Sequence, residues 1–336
     1  MPITLAQAAL NTQSDYDPFI IDEFRKDNPI LDTMQFDQAV NPAGGGATLL
    51  YGYRRKISQG TAQFRAINSE YPPTEATTQA FSTELKVLGG AFQIDRVLAN
   101  LGPAASGEVA FQMADKIQAA QKTFADAVIN GDTATNADSF DGLDVALTGS
   151  STEFTASVLG SAAAADWTSL DASSAQHAIL DLIDEWLSAL DGAPTVILGN
   201  RRAIARVRAV ARRASMYVTS PMIGVAEHEN EGNAIGSTER YGNIALVDPG
   251  QKPGTNEDII PVAADGTTDL YAYRVGLDGF HGVATVGSQL VQSWLPDFSR
   301  AGAVKTGEVE LGPVGVALKK TKAATVLRGV KVSAGA

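Results

Sequence analysis

Hydrophobic positions along this chain repeat first with period two, then with period 3.6, then with a mixture of both. Residues 1–45 hold no sustained period, although Asp17-Pro18-Phe19-Ile20-Ile21-Asp22-Glu23-Phe24 predicts a short helix after an extended arm. Asn41-Pro42-Ala43 followed by Gly44, Gly45 and Gly46 is a strong breaker and reads as a boundary or hinge. Strand alternation begins there. Leu49, Tyr51, Tyr53 and Ile57 fall on one face of an extended segment, and Thr48, Arg54 and Lys56 on the other. After a polar stretch containing Pro72-Pro73, Phe81, Thr83, Leu85 and Val87 face one way and Ser82, Glu84 and Lys86 the other. This predicts a long hairpin with an irregular end. A two-stranded ribbon is marginal in water by itself, so it needs a surface to lie on, either its own core or another subunit.

The period then changes. Val109, Met113, Ile117, Ala120, Phe124 and Val128 mark one stripe of a helix over 103–129, about 40 Å long at 1.5 Å per residue. Pro103 suits the first turn, and Asn130-Gly131 predicts a stop with Gly131 in the left-handed conformation. A polar loop leads to Phe140-Asp141-Gly142-Leu143, read as a short strand. A second helix is predicted over Ser173–Leu190, with Ile179, Leu182, Ile183, Trp186, Leu187 and Leu190 apolar and Ser173 or Ser174 as N-cap. Thr195–Leu198 reads as a buried strand, and Asn200 caps a helix to about Ala214. With short strands at Ile244–Val247, Leu270–Arg274 and Val283–Val286, this part predicts an α/β lobe. From Leu290 to Val332 the chain reads as strands again.

Composition narrows the functional classes. The 336 residues are 44% hydrophobic and 19% charged, which favours folding over disorder. There is no cysteine, so disulfides and thiolate metal sites are excluded. No apolar run is long enough to cross a bilayer, and the N-terminus lacks a basic segment followed by an apolar core. The net charge of −12 sits in the middle: residues 101–199 carry 2 basic and 14 acidic side chains. Such a chain is a poor candidate for tight nucleic-acid binding, which needs concentrated Lys and Arg.

Candidate chemistry is sparse. His177, His228 and His281 are far apart, and Glu227-His228-Glu229 lies in a glycine-flanked segment that reads as a loop rather than a metal site. Zinc-protease, P-loop and nucleophile-elbow motifs are absent, and Gly44-Gly45-Gly46 precedes a strand rather than a helix. Catalytic, cofactor and metal sites are therefore not expected. Asp181 and Asp184 read as solvated charges on a helix whose other face is core. Arg201, Arg202, Arg206, Arg208, Arg212 and Arg213 are dense for an acidic protein, with Arg202, Arg206 and Arg213 roughly on one face. They predict a salt-bridge surface between subunits, facing the acidic residues 101–199, or loose contact with DNA. Their bland reading is a solvated helix face.

The order of these features resembles the Hong Kong 97-type major capsid proteins of tailed bacteriophages. The residues that carry the resemblance are the hairpin, Gly89-Gly90-Ala91-Phe92-Gln93-Ile94, the long helix ending at Asn130-Gly131, Phe140-Asp141-Gly142-Leu143, and Val196-Ile197-Leu198-Gly199-Asn200-Arg201-Arg202. Each motif is loose; the ordered set covers nearly the whole chain. The resemblance implies an α+β fold with an N-terminal arm (1–43) and an extended β-hairpin loop (44–90). It also implies a peripheral domain (91–147 and 290–336) with the spine helix at 103–129, and an axial domain (148–289). It implies a turn into the peripheral domain after the hairpin. It implies self-assembly into hexamers and pentamers of an icosahedral head around double-stranded DNA, in a virion built in the host bacterial cytoplasm. The implied partners are other copies, a separate scaffolding protein, a portal, a cement or decoration protein, and DNA through weak non-specific contact, with no membrane. A fused scaffolding domain is not expected before the arm. Candidate subunit contacts are Arg54, Arg55, Lys56, Glu84, Lys86, Arg202, Arg206 and Arg213; candidate hinges or caps are Gly44, Gly45, Gly46 and Gly131. Some family members bond a lysine of the extended loop covalently to a neighbour's asparagine; residues 58–78 contain no lysine, so no cross-link is expected. Alternatives are an encapsulin-type nanocompartment shell, which shares the fold, and a monomeric α/β enzyme.

Overall fold

The stretch of period 3.6 forms one helix, α1 (Pro103–Asn130), in the computed structural model. The model describes residues 29–39, 46–99, 103–170, 172–213, 219–221, 237–285 and 291–335. The predicted helix at Asp17–Phe24, most of the arm, Gly44, Gly45 and His228 lie outside the described residues. Met113, Ile117, Ala120, Phe124 and Val128 are buried as the spacing predicts, and Ala125 and Ile129 widen the stripe. Two sheets share the core in which this stripe lies.

The first sheet contains β1 (Phe36–Ala39), β4 (Lys86–Asp95), β11 (Phe280–Thr285), β12 (Val291–Trp294) and β13 (Val304–Leu318). The long β13 has β4 along one edge and β12 followed by β11 along the other, all antiparallel to it: Glu308–Leu311 pair with both β4 and β12, and Val314 with both β4 and β11. Phe92, Val309, Leu311, Val314 and Val316 join Met113, Ile117 and Phe124 of α1 in one core. The predicted turn at Gly89-Gly90 is instead strand interior: a Cβ at Gly89 would lie 2.5 Å from the Val309 carbonyl oxygen of β13. The glycine is there for close backbone approach.

β2 (Leu50–Ser58) and β3 (Thr77–Glu84) form the predicted hairpin, in register from Leu50–Glu84 to Lys56–Thr78, with a one-residue shift before Ser58–Thr77. The second alternation does not run on through Val87. Leu85 donates its N–H to the Leu49 carbonyl at 2.8 Å and is buried with Ala39, Val283 and Ala317. The chain leaves the hairpin there and joins β13. The swap of faces turns Val87 out to solvent, 60% exposed, and puts Leu88 against the core.

The second sheet runs β5 (Glu153–Thr155), β14 (Ala324–Lys331), β10 (Thr267–Tyr273), β6 (Val196–Gly199), β9 (Ile244–Val247), β8 (Ser237–Tyr241) and β7 (Thr219–Pro221). Both faces of its central strands are covered, so their residues divide by period two. Ile197, Leu246, Leu270, Ala272, Leu327 and Val330 pack under two helices, α3 (Ser173–Ser188) and α4 (Arg201–Arg213). Val196, Leu198, Val247, Tyr271, Tyr273 and Val326 face the core that holds the end of α1 and a short helix, α2 (Leu143–Leu147).

Four expectations change here. Phe140–Leu143 is not a strand: Phe140 packs against Phe124 with ring centroids 6.0 Å apart, and Leu143 begins α2. β11, expected in the lobe, pairs with β1 and β13. The last strand, β14, expected beside the spine helix, lies between β5 and β10 in the second sheet, so residues 290–336 divide between the sheets at the turn Thr321–Ala323. The N-cap of α3 is Ala172, without a side-chain bond, while Gln176 donates to the Leu170 carbonyl at 2.8 Å. Asn200 caps α4 as expected: its Oδ1 accepts from Arg202 N–H at 2.9 Å, and its Nδ2 donates to Asp258 and to the Ile260 carbonyl.

Candidate assembly surface

The hairpin divides into an anchored base and a projecting end. At the base, Tyr51, Tyr53 and Arg55 alternate inward. The Tyr51 hydroxyl donates to Asp37 at 2.5 Å, and the Tyr53 hydroxyl donates to the Leu318 carbonyl at 3.1 Å. Arg55 donates to the Lys319 carbonyl at 2.8 Å, also to that of Leu318, and its guanidinium lies 4.3 Å over the Phe81 ring. Arg55, one of the candidate subunit contacts, ties β2 to the end of β13 within the chain. Glu84 and Lys86 likewise meet each other at 3.0 Å, and Lys86 donates to the Ala137 carbonyl beyond the spine helix. Arg54 and Lys56 point outward and are exposed.

Beyond Arg55 the ribbon has no core beneath it. Its shape is nevertheless defined. Thr61 and Thr74 bond across it through N–H to Oγ1 and Oγ1–H to carbonyl, each at 2.9 Å. Asn68 takes φ 66° at the tip turn, and Arg65 stacks 5.3 Å from the Tyr71 ring. This ordered end carries Phe64, Ile67 and Tyr71 in solvent, at 105%, 92% and 61% exposure. Scattered single apolar residues on a surface are ordinary; three on one unsupported projection make it a candidate contact surface.

The spine helix is joined to the body tightly. Gly131 is not in the left-handed region: it is absent from the residues with positive φ, and its N–H continues the helix to the Ala127 carbonyl at 2.9 Å. A Cβ there would sit 2.3 Å from the Phe140 carbonyl oxygen and 2.4 Å from that of Ala127. Gly142 closes the joint from the other side. It donates to the Gly131 carbonyl at 2.8 Å, and a Cβ on it would meet the Ala127 and Ile129 carbonyls at 2.6 and 2.7 Å. Glycine is needed for proximity rather than for φ. Gly46, by contrast, has φ +94° with open space around it.

Below this joint Arg328 gathers acids from three other elements. Its guanidinium meets Glu153 at 2.9 Å and Asp269 at 3.0 Å, and also bonds Asp144. Burial opposes its charge, yet the hydrogen bonds it donates to Asp144 and Asp269 hold its pKa above the ordinary arginine value. The cluster ties α2, β5, β10 and β14 together. No local sequence signal announces it, because its members come from four distant points in the chain.

Of the remaining expected contacts, Arg206 donates to the Val332 carbonyl at 3.2 Å and Arg213 to that of Leu170 at 2.6 Å. Both make these bonds inside the chain. Arg202 is exposed. His281 is wholly buried beside Tyr51, ring centroids 5.8 Å apart, with neither ring nitrogen paired among the described residues. Burial, then the nearby Lys319, pushes its pKa down, against a smaller opposite pull from Asp37. Among the described residues no group of three His, Asp or Glu could hold a metal, and no helix is long and apolar enough to cross a membrane.

The family model "Major capsid protein GP7" matches residues 13–170, 158 of the 336, a span that holds the hairpin, the spine helix and the Gly131–Gly142 joint. No curated protein sequence matches the chain. Among solved structures the chain is similar to the SrpI encapsulin of Synechococcus elongatus PCC 7942, with TM-score 0.60, 14% identity and 98% of each chain covered. It is similar to the capsid of a native GTA particle, with TM-score 0.53, 13% identity, and 84% of this chain and 85% of that one covered. It is also similar to the capsid of Myoviridae phage XM1, with TM-score 0.50, 13% identity, and 87% and 89% covered.

Hairpin, spine helix and helix-covered lobe, set out in this order, define the α+β fold of Hong Kong 97-type shell proteins. That fold is common to capsids and encapsulins, so it does not separate them; the family match, which is to a capsid protein, favours the capsid. The match of residues 13–170 to a major capsid protein family, together with this fold, supports a self-assembling structural shell subunit of the tailed-bacteriophage kind rather than an enzyme.

Proposed function

We propose that the chain builds an icosahedral head of hexamers and pentamers around double-stranded DNA, with each hairpin end lying on the neighbouring copy. The observation that carries this is the ordered hairpin end with Phe64, Ile67 and Tyr71 exposed and no core of its own. Arg54, Lys56 and Arg202, exposed on the outer faces, remain the candidate charged contacts. An acidic chain holds packaged DNA only loosely, since few cations are available to phosphate. Assembly takes place in the bacterial cytoplasm on a separate scaffolding protein, around a portal, with a cement protein reinforcing a shell that lacks a cross-linking lysine. The division into arm (1–43), extended loop (44–90), peripheral domain and axial domain describes how the subunit is used, with β14 counted to the axial sheet.

Electron microscopy of the purified protein with its scaffold tests this reading. Large heads with five- and six-fold capsomers, holding nuclease-resistant DNA when taken from infected cells, are expected. The likeness to an encapsulin favours one second reading, a smaller uniform shell around a cargo protein. Particles of that kind, free of DNA, would replace the head assignment, and a monomer at all concentrations would overturn both.

A further inference from the structure

The two helices that cover the lobe sheet have opposite charge on their outward sides. On α3, Asp181 and Glu185 are exposed one turn apart, on the side away from buried Ile179, Leu182, Ile183 and Trp186. On α4, Arg202 and Arg212 are exposed, away from buried Ala203, Val207 and Val210. Arg206 and Arg213 of the same helix are already committed to carbonyls of the chain. Among the described residues no ion pair joins Asp181 or Glu185 to Arg202 or Arg212. One lobe thus carries an acidic and a basic stripe side by side, neither neutralised by the other.

We infer that these stripes form the two halves of a head-to-tail contact between lobes, the basic α4 of one copy against the acidic α3 of the next. The partner is a second copy of this chain, because the complementary surface is on the chain itself. A contact made of two different patches propagates in one direction and closes into a ring when the rotation allows. Each exposed pair adds little by itself. Placing like charges opposite each other costs more, and charge complementarity chiefly sets which partner docks and in what orientation. This rests on the shell reading above and names the surface that reading uses around its rings.

The test is charge reversal in the full chain. Arg202→Glu with Arg212→Glu makes both stripes acidic; Asp181→Lys with Glu185→Lys makes both basic. Each double variant should melt like the unchanged chain as an unassembled subunit, yet lose the particle peak in sedimentation. The four-fold swap should restore closed shells. Mixing the two double variants should restore only rings in which they alternate. An even ring can alternate and a five-membered ring cannot, so hexamer-built tubes or sheets are expected rather than closed heads. If the unchanged chain makes shells and the Arg202→Glu, Arg212→Glu variant makes them equally well, the inference is overturned while the shell reading stands. A variant that keeps its particle yield but loses DNA retention would also overturn it, moving the arginines to DNA. If the unchanged chain makes no particle, the shell reading itself fails.

Discussion

The hairpin end and the spine-helix joint are opposites. Around Gly131 and Gly142, backbone approaches backbone so closely that a methyl group has no room, and Arg328 gathers three carboxylates below. At the hairpin end, Phe64 and Ile67 stand almost wholly in solvent. The joint satisfies its groups inside one chain and sets an angle. The end leaves apolar area for another chain to cover. A subunit that must reproduce one curvature in many copies needs rigidity where its parts meet and unspent surface where copies meet.

The largest effect should come from filling the joint. Gly131→Val should destabilise the unassembled subunit by about 3 kcal/mol through overpacking against Phe140 and Ala127 carbonyls. Thermal unfolding measures it, and an unchanged melting temperature would show that the joint can open at little cost. Arg328→Ala should cost about 2 kcal/mol, the buried-pair value discounted for partial exposure, by leaving Asp144, Glu153 and Asp269 facing one another. Raising the salt concentration should recover part of that loss; no recovery would mean that lost packing, not charge, is responsible.

A smaller effect is expected under the hairpin base. The folded pKa of His281 is lowered, so the unfolded chain binds its proton more readily. Its contribution to stability is therefore complete above the ordinary histidine pKa and is lost as pH falls through that value towards the folded one. Besides Asp37 and Lys319, which face it, Tyr51 packs on its ring. His281→Phe should flatten the fall in melting temperature between neutral and mildly acidic pH. An equally steep fall would assign it to the carboxylates.

The smallest effect on the subunit should come from the hairpin end. Phe64→Ser with Ile67→Ser should shift subunit stability by less than about 0.5 kcal/mol while reducing assembly sharply. Normal particle yield would remove the contrast between end and joint. Boiled particles on a denaturing gel should give one band near 35.1 kDa, since residues 58–78 have no lysine; a ladder of multiples would reveal a cross-link made elsewhere.

By itself the sequence determined the elements whose signal is local. Met113, Ile117, Phe124 and Val128 repeat within a few turns, so the spine helix was legible almost to its last residue, as were Asn200 at its cap and the paired alternation of the hairpin. It also showed that residues 58–78 hold no lysine and no strand alternation. Tertiary structure decided whatever depends on a distant partner. Gly131 looked like a left-handed helix stop because Asn-Gly usually is one; only the Phe140 carbonyl, nine residues on, makes proximity the reason. Arg55, Arg206 and Arg213 looked free because the carbonyls they bind, at Lys319, Val332 and Leu170, lie far along the chain. The same holds for β11 and β14, whose alternation identifies a strand but not its sheet. Periodicity reports which face of an element is apolar; the element that covers that face is chosen by packing across the whole chain.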